Sequence, residues 1–201
     1  ESTVKIIGRG SGFWNPILVN SRRAEFGLSH VASASWAYRG DKIAYYEKNY
    51  EHIRAVLGGM RTVWLTAMLR ENYIRRTGYF SLDQALTAER GGPRSVMAPA
   101  AGSVPIFTDM ILEAMGTNRQ VLRERGGDVV QVGIRQIPSM MRDGRADLYF
   151  EAGVADHSVV LETALTGNVR FVDLPEKALT ALEKSGLTPR PLPRWFKGQT
   201  G

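Results

Sequence analysis

Apolar and polar residues alternate along this chain in short blocks, and the blocks switch repeatedly between the period of a strand and that of a helix. Short runs rich in β-branched or apolar residues predict strands, and apolar residues spaced three to four apart predict amphipathic helices. The predicted strands are TVKII (3–7), FGLSHVAS (26–33), IRAVLGG (53–59), TVWLTAMLR (62–70), RSVMAP (94–99), VVQVG (129–133), ADLYFEAG (146–153) and VRFVDL (169–174). The predicted helices are WNPILVNSRRAE (14–25), SLDQALTAERGG (81–92), VPIFTDMILEAMG (104–116), IRQIPSMMRDG (134–144), VADHSVVLETALTG (154–167) and PEKALTALEKSG (175–186).

The order of these blocks defines a fold class. Strands alternate with helices, which favours an α/β fold with mainly parallel sheets flanked by helices. The length of 201 residues and this alternation suggest two small sheets instead of one large sheet. Capping residues support the helix boundaries, because Asn15-Pro16 opens one helix and Ser81 opens another.

Composition narrows the class of protein. The 43% apolar content is that of a globular domain, and no apolar run reaches the ~20 residues that a membrane span needs. Cysteine is absent, which excludes a disulfide framework, a thiolate metal site and a cysteine nucleophile. The net charge of +6 would suit nucleic acid, small anions or a basic surface, but the arginines are scattered. We therefore expect no nucleic-acid partner.

Motifs of catalysis are missing from the sequence. It contains no GxSxG elbow, no P-loop, no HExxH and no metal-ligand spacing, and its three histidines stand apart. Asp156 and His157 are neighbours, but adjacent residues on a helix point about 100° apart and so form no dyad. We expect no catalytic residues, no cofactor and no metal, although an enzyme built on the same fold stays an alternative.

The connection AAGS (100–103) is the first candidate for binding chemistry. It joins a predicted strand to a predicted helix, and its small residues leave the first amides of that helix accessible. Such amides, together with the helix dipole, can receive a carboxylate. Gly102, Ser103 and Val104 are therefore candidate ligand residues. The alternative is that Ser103 only caps its own helix.

Several motifs in order resemble the solute-binding subunits of TAXI-type tripartite (TRAP) transporters. GRGSGFWNPILVNSRRAEFGLSH (8–30) is similar to that family's TGGSxEN…ASGEADIGFVQ segment, and the 78–116 stretch to its GIxSLADLKGKRVSVGAPGSGTExTARRLLEALG. SMMRDGRADLYFEAGVADHSVV (139–160) resembles ALKDGRIDAFFxxAGxPxPAI, and FKGQ (196–199) resembles Y-x-G-Q. Val104-Pro105 and His30 depart from the family pattern, so its usual ligands are not carried over.

The resemblance implies a two-lobed Venus-flytrap receptor of the type II periplasmic-binding-protein fold. Residues 1–66 would form the first part of lobe I, 67–152 lobe II, and 153–201 the chain returning to lobe I. Such a receptor is periplasmic, secreted through a signal peptide that is then removed, and monomeric. It closes over a small anionic organic solute, an organic acid or amino acid, for delivery to membrane permease subunits. Relative to the family, we expect the N- and C-terminal segments to be absent here.

Further ligand residues are expected where predicted strands and loops meet. His30 follows GLS (27–29) at the end of a predicted strand, and open α/β sheets bind ligands at the carboxyl ends of strands. Ser33 lies just beyond it, while Ser11 and Asn15 belong to the first loop and its helix cap. Gly153 and Val154 end another strand, and Glu151 beside them would suit the ammonium of an amino acid. Capping and packing are the alternatives for each, and a ligand-sensing domain of a transcriptional regulator is the alternative function.

Overall fold

The computed structural model describes residues 3–7, 11–43, 46–97, 102–195 and 199. The chain divides into two compact units. Unit 1 comprises Glu1–Gly58 with Ala101–Ser103, and unit 2 comprises Gly59–Ala100 with Val104–Gly201. The lobe boundaries expected at 66/67 and 152/153 stay a prediction, and these units are divided at other positions.

Unit 1 holds two helices, α1 (Asn15–Asn20) and α2 (Val31–Arg39). Pro16 lies in the first turn of α1, where its missing N–H leaves no hydrogen bond unmade. Gly40 ends α2 in a left-handed conformation with φ +74°, which glycine adopts without steric cost. Phe13 and Trp36 are fully buried beside each other, with ring centroids 5.6 Å apart, and form the centre of this unit.

Three predicted strands of this region are wrong. Residues 3–7, 26–30 and 53–59 are irregular, and residues 31–39 are helical. A strand needs a neighbour for its backbone hydrogen bonds, and apolar side chains in these segments, such as Val4 and Val56, are largely exposed. In α2, Ala32, Ser33, Trp36 and Ala37 are buried, a spacing that matches one face of a helix.

Unit 2 is built on one five-stranded sheet with helices on both faces. Its strands are β1 (Trp64–Arg70), β2 (Arg94–Met97), β3 (Asp128–Gln131), β4 (Leu148–Gly153) and β5 (Val169–Val172). Its helices are α3 (Glu71–Thr77), α4 (Leu82–Thr87), α5 (Val104–Ala114), α6 (Arg119–Glu124), α7 (Ile137–Arg142), α8 (Ser158–Thr166) and α9 (Glu176–Lys184), with a 3-10 turn at Ile134–Gln136.

The strand order is β3-β2-β4-β1-β5, and the sheet is mixed. β2 is parallel to β3 and β4, whereas β1 is antiparallel to β4 and β5, with Trp64 opposite Gly153. The fold is therefore α/β, as predicted, but the expectations of mainly parallel strands and of two sheets are wrong for the described residues. Local patterns give the order of strands and helices, whereas strand direction depends on pairing between distant segments.

Burial on both faces explains the continuous apolar character of the central strands. Ala67, Met68 and Leu69 of β1 are successive and all almost completely buried. On one face, α7 and α8 pack over a cluster that includes Met68 and Tyr149. Elsewhere in the unit α5 packs against α9 and β4. Because β5 pairs with β1, the chain beyond β4 continues the same sheet.

Candidate functional site

Two serine hydroxyls of unit 1 meet at the carbonyl oxygen of Gly12. The Oγ atoms of Ser29 and Ser33 lie 2.6 and 2.8 Å from that oxygen and 2.8 Å from each other. Ser33 is fully buried on α2, and Ser29 is exposed one turn before it. The two serines with His30 are named here the hydroxyl cluster.

His30 lies beside the two serines, directly before the first residue of α2. Its carbonyl accepts the Ala34 N–H, and its imidazole lies so close to Gly12 that a Cβ on that glycine would be 2.4 Å from His30 Cδ2. Gly12 is therefore required for the close approach of the ring. Burial lowers the pKa of His30 below its ordinary value of 6.5. The imidazole is consequently neutral at pH 7, where it offers one donor and one acceptor.

Ser11 and Asn15 fix the loop beneath the cluster. The Ser11 carbonyl accepts the backbone N–H groups of Trp14 and Asn15, both at 3.0 Å, which closes the turn leading into α1. Asn15 Nδ2 donates to the Leu28 carbonyl at 2.7 Å and so ties α1 to the segment before the cluster. Both residues thus hold backbone segments together, as in the turn alternative considered for the sequence. The prediction that Asn15 caps α1 is wrong, because Trp14 is the N-cap residue and α1 has no side-chain cap.

Tyr46 is a member of the surroundings that the sequence pattern did not indicate. Its hydroxyl donates to the Phe13 carbonyl at 2.9 Å, next to the Gly12 carbonyl that the serines contact. Burial raises the pKa of Tyr46 to about 12, against a smaller opposing effect of the hydrogen bond with Ser33. Ser29 was missed as well, although it stands beside His30 in the sequence. For Ser29, the available signal in the sequence was its position beside the candidate residue His30. No sequence signal indicated Tyr46.

The predicted helix start is described only in part. Gly102 is half-buried, Ser103 is 8% exposed, and Val104 is the buried first residue of α5. Residues 98–101, which include the end of the predicted strand and both alanines of AAGS, lie outside the described residues. Residues 8–10 and 196–198 of the quoted motifs also lie outside them. The anion-binding role of this helix start stays a prediction.

Gly153 and Val154 lie at the end of β4. A Cβ on Gly153 would be 3.1 Å from Cγ of His157, so the ring of His157 packs on that glycine. The Val154 carbonyl accepts the His157 N–H at 3.0 Å and closes the turn. Gly153 therefore does allow a close approach to its backbone, but the group that approaches is the His157 ring of the same chain.

The carboxylate of Glu151, nearby on β4, is buried and bonded on both oxygens. It accepts the Tyr149 hydroxyl at 2.5 Å and the Ala152 N–H at 2.9 Å. Burial first, and then the adjacent carboxylate, raises the pKa of Tyr149. Thr66 lies opposite Glu151 across the β1–β4 pair, and its buried Oγ1 has no hydrogen-bond partner within the described ranges. These contacts hold the Glu151 carboxylate against its own strand. They leave it no accessible oxygen for the ammonium group of an amino acid, the role suggested for Glu151 from the sequence.

The structure thus distributes the nine candidate ligand residues between the two units. Those of unit 1 are Ser11, Asn15, His30, Ser33, Gly102 and Ser103, and those of unit 2 are Val104, Gly153 and Val154. His30 and Ser33 meet around Gly12, and Ser11 and Asn15 hold the adjoining turn.

Two further searches bear on chemistry. Within the described ranges, no three side chains of the His, Asp or Glu type come together in a way that could hold a metal ion. None of the helices in the described part of the chain combines the length and apolar character needed to cross a bilayer.

In comparison with known proteins, no family model and no curated protein matches this sequence.

Proposed function

We propose that this protein is an extracytoplasmic solute-binding receptor that captures a small organic acid or amino acid for a TRAP-type transporter. The observation that carries the proposal is the hydroxyl cluster, where Ser29, His30 and Ser33 of one segment contact Gly12 of another. Two of these three residues are ones that the sequence motifs predicted as ligand residues.

The hydrogen-bond capacity of the cluster favours a ligand group that donates. Each serine has one hydroxyl proton, and both hydroxyls lie at donating distance from the Gly12 carbonyl. Ser33 is fully buried, whereas Ser29 is exposed, so the lone pairs of the Ser29 hydroxyl are the acceptor that a ligand reaches. An ammonium or hydroxyl group of the solute would fit this acceptor. Among small organic acids, this favours amino acids and hydroxy acids.

The sheet of unit 2 supports a flytrap receptor in a different way. β1 begins where β4 ends, since Trp64 is opposite Gly153, and β2 and β3 run parallel to β4. The carboxyl ends of these parallel strands therefore share one edge with the start of β1. Ligands of open α/β sheets bind at such an edge. We propose on this basis that the units are the lobes of a type II periplasmic-binding-protein fold.

The transporter partner and the location are parts of the same proposal. A permease that receives the solute and a periplasmic position rest on the motif resemblance to TAXI-type subunits. The net charge of +6 is compatible with attraction of a small anionic solute.

The test is a thermal-shift screen against dicarboxylates, oxo-acids, hydroxy acids and amino acids, followed by calorimetric titration of each active compound. A ligand at ~100 times its dissociation constant adds about 2.7 kcal/mol, which raises Tm by about 5–10 °C for a chain of this size. We expect Ser29→Ala and His30→Ala to weaken binding about tenfold or more, the loss of one good hydrogen bond to a charged group.

Matched controls come from the same unit. Ser21 is exposed and donates to the Leu18 carbonyl, and His52 is exposed, so Ser21→Ala and His52→Ala should bind as the parent protein does. Small-angle scattering with the active compound should show a smaller radius of gyration if the lobes close. A folded protein that responds to no compound, or a cluster variant that binds normally, refutes the proposal. Conversion of a compound to product would favour the enzyme alternative.

A further inference from the structure

Arg70, at the end of β1, is a buried cation whose Nε has no acceptor in the described part of the chain. The residue is 9% exposed, and its Nε is fully buried with no hydrogen-bond partner among the described residues. Its guanidinium lies against Gly144, where a Cβ would be 2.7 Å from Nη1. A buried charge is costly unless an opposite charge or hydrogen bonds compensate it. Arg70 therefore requires a counter-charge.

The backbone N–H of Arg70 donates to the Asp147 carbonyl, but the carboxylate of Asp147 already serves two other arginines. Asp147 is buried and accepts Nε and Nη2 of Arg94 at 2.8 and 2.9 Å, and Arg76 approaches it to 3.7 Å. Arg94 Nη2 also donates to the Gly144 carbonyl at 2.8 Å, so the guanidinium groups of Arg94 and Arg70 meet at one glycine.

The charges around this group do not cancel. Two guanidinium groups contact the one carboxylate of Asp147, and the third, that of Arg70, meets Arg94 at Gly144. This leaves two positive charges in the arginine cluster of Arg70, Arg76 and Arg94. Other acids nearby are engaged elsewhere. Asp143 pairs with Arg142 and Arg145, and Glu71 pairs with Arg170. The arginine cluster is thus a partly buried, net cationic group held by β1, α3 and β2.

We propose that the arginine cluster is a binding site for a dianionic tetrahedral oxyanion of the phosphate or sulfate class. Guanidinium forks bind such oxyanions through paired, charge-assisted hydrogen bonds. The side chains of Arg76 and Arg94 are 60% and 41% exposed, so an ion from solution reaches the cluster, while Arg70 contributes the desolvated charge. Two negative charges would balance the two positive charges that Asp147 leaves. This site is separate in residues and unit from the hydroxyl cluster.

Calorimetric titration of the full chain with sodium phosphate and with sodium sulfate tests the proposal. Sodium chloride at matched ionic strength is the reference, because general screening acts without saturation. We expect saturable binding of phosphate or sulfate and a rise in Tm that chloride does not give. Absence of saturable binding of both anions to the parent protein overturns the proposal.

Arg70→Met separates binding from folding. Methionine fills much of the arginine stem and removes the unpaired charge, so Tm without added anion should be unchanged or higher, while the anion affinity falls about tenfold or more. Arg76→Gln, at an exposed position, is the second variant and should also weaken binding. Arg123→Met alters an exposed arginine paired with Asp128 and should bind normally. Unchanged affinity in both Arg70→Met and Arg76→Gln overturns the assignment.

Discussion

Replacement of Asp147 by asparagine should destabilise unit 2 by about 3 kcal/mol. The variant keeps the side-chain shape but removes the carboxylate that accepts two charge-assisted hydrogen bonds from Arg94, and its amide group places a donor against a donor. Each hydrogen bond to a charged group is worth about 1.5–3 kcal/mol. We use the lower end because the Arg94 side chain is 41% exposed. The sum, about 3 kcal/mol, lies within the range for breaking a buried ion pair.

Urea unfolding followed by circular dichroism measures this effect. With a slope of about 2 kcal/mol per molar urea, the midpoint should fall by about 1.5 M. Asp143→Asn is the matched control, because Asp143 is 46% exposed and its pairs with Arg142 and Arg145 are worth at most about 1 kcal/mol. If Asp147→Asn lowers the midpoint no more than Asp143→Asn does, the carboxylate is not the counter-charge that holds the arginine cluster together.

Three further variants test unit 1 and its acid–base behaviour. Burial lowers the pKa of His30 in the folded protein, so the stability that is present above pH 6.5 is lost as the pH falls through the lowered pKa. In urea unfolding, His30→Gln should remove this acid dependence, and the control His52→Gln should not. Tyr46→Phe should cost about 1–2 kcal/mol at neutral pH. Because the pKa of Tyr46 rises from 10.0 to about 12, its contribution is present below pH 10 and fades towards pH 12, so that the parent loses stability there and the variant less. Gly40→Ala should lower stability by about 1–2 kcal/mol, because φ is +74° and the new Cβ would meet Asn49; an unchanged thermal midpoint would contradict this.

Local signals predicted the elements of unit 2 well. Ser81 was expected to cap a helix, and its Oγ accepts the Gln84 N–H in a capping box at the start of α4. The strand predicted at 62–70 contains β1, and the helix predicted at 104–116 contains α5. In these segments, the residues that start and end each element lie within a few positions of it, so the local sequence pattern is enough to predict the element.

Predictions failed where the outcome depended on distant partners. The segment 53–59 has strand composition but no pairing in the structure, and β1 runs antiparallel to strands that follow it much later. The short helices α3 and α6 were both missed. For α6 a signal was present in the sequence, because Asn118 caps it with hydrogen bonds to two backbone N–H groups.

The candidate site divides in the same way. His30 and Ser33 were predicted from a strand end and a motif, but the structure has a helix start there and no strand, and their ligand role stays a prediction. Their relation to Gly12 and the approach of Tyr46 to Phe13 join segments far apart in sequence, which no local pattern encodes. The arginine cluster shows this most clearly. Arg70 ends β1 and Arg94 begins β2, and no local sequence pattern indicates that the two side chains meet.

The position of β1 within its sheet has a consequence for the order of folding. β1 is synthesised first among the five strands, but both of its neighbours come last, since Leu69 pairs with Leu148 and with Arg170. Contacts between distant segments form slowly because loop closure precedes them. During synthesis, both hydrogen-bonding edges of the run from Leu65 to Leu69 therefore stay unpaired until β4 and β5 have been made. A chain that stopped before residue 169 would leave one of those edges unpaired and prone to intermolecular strand addition.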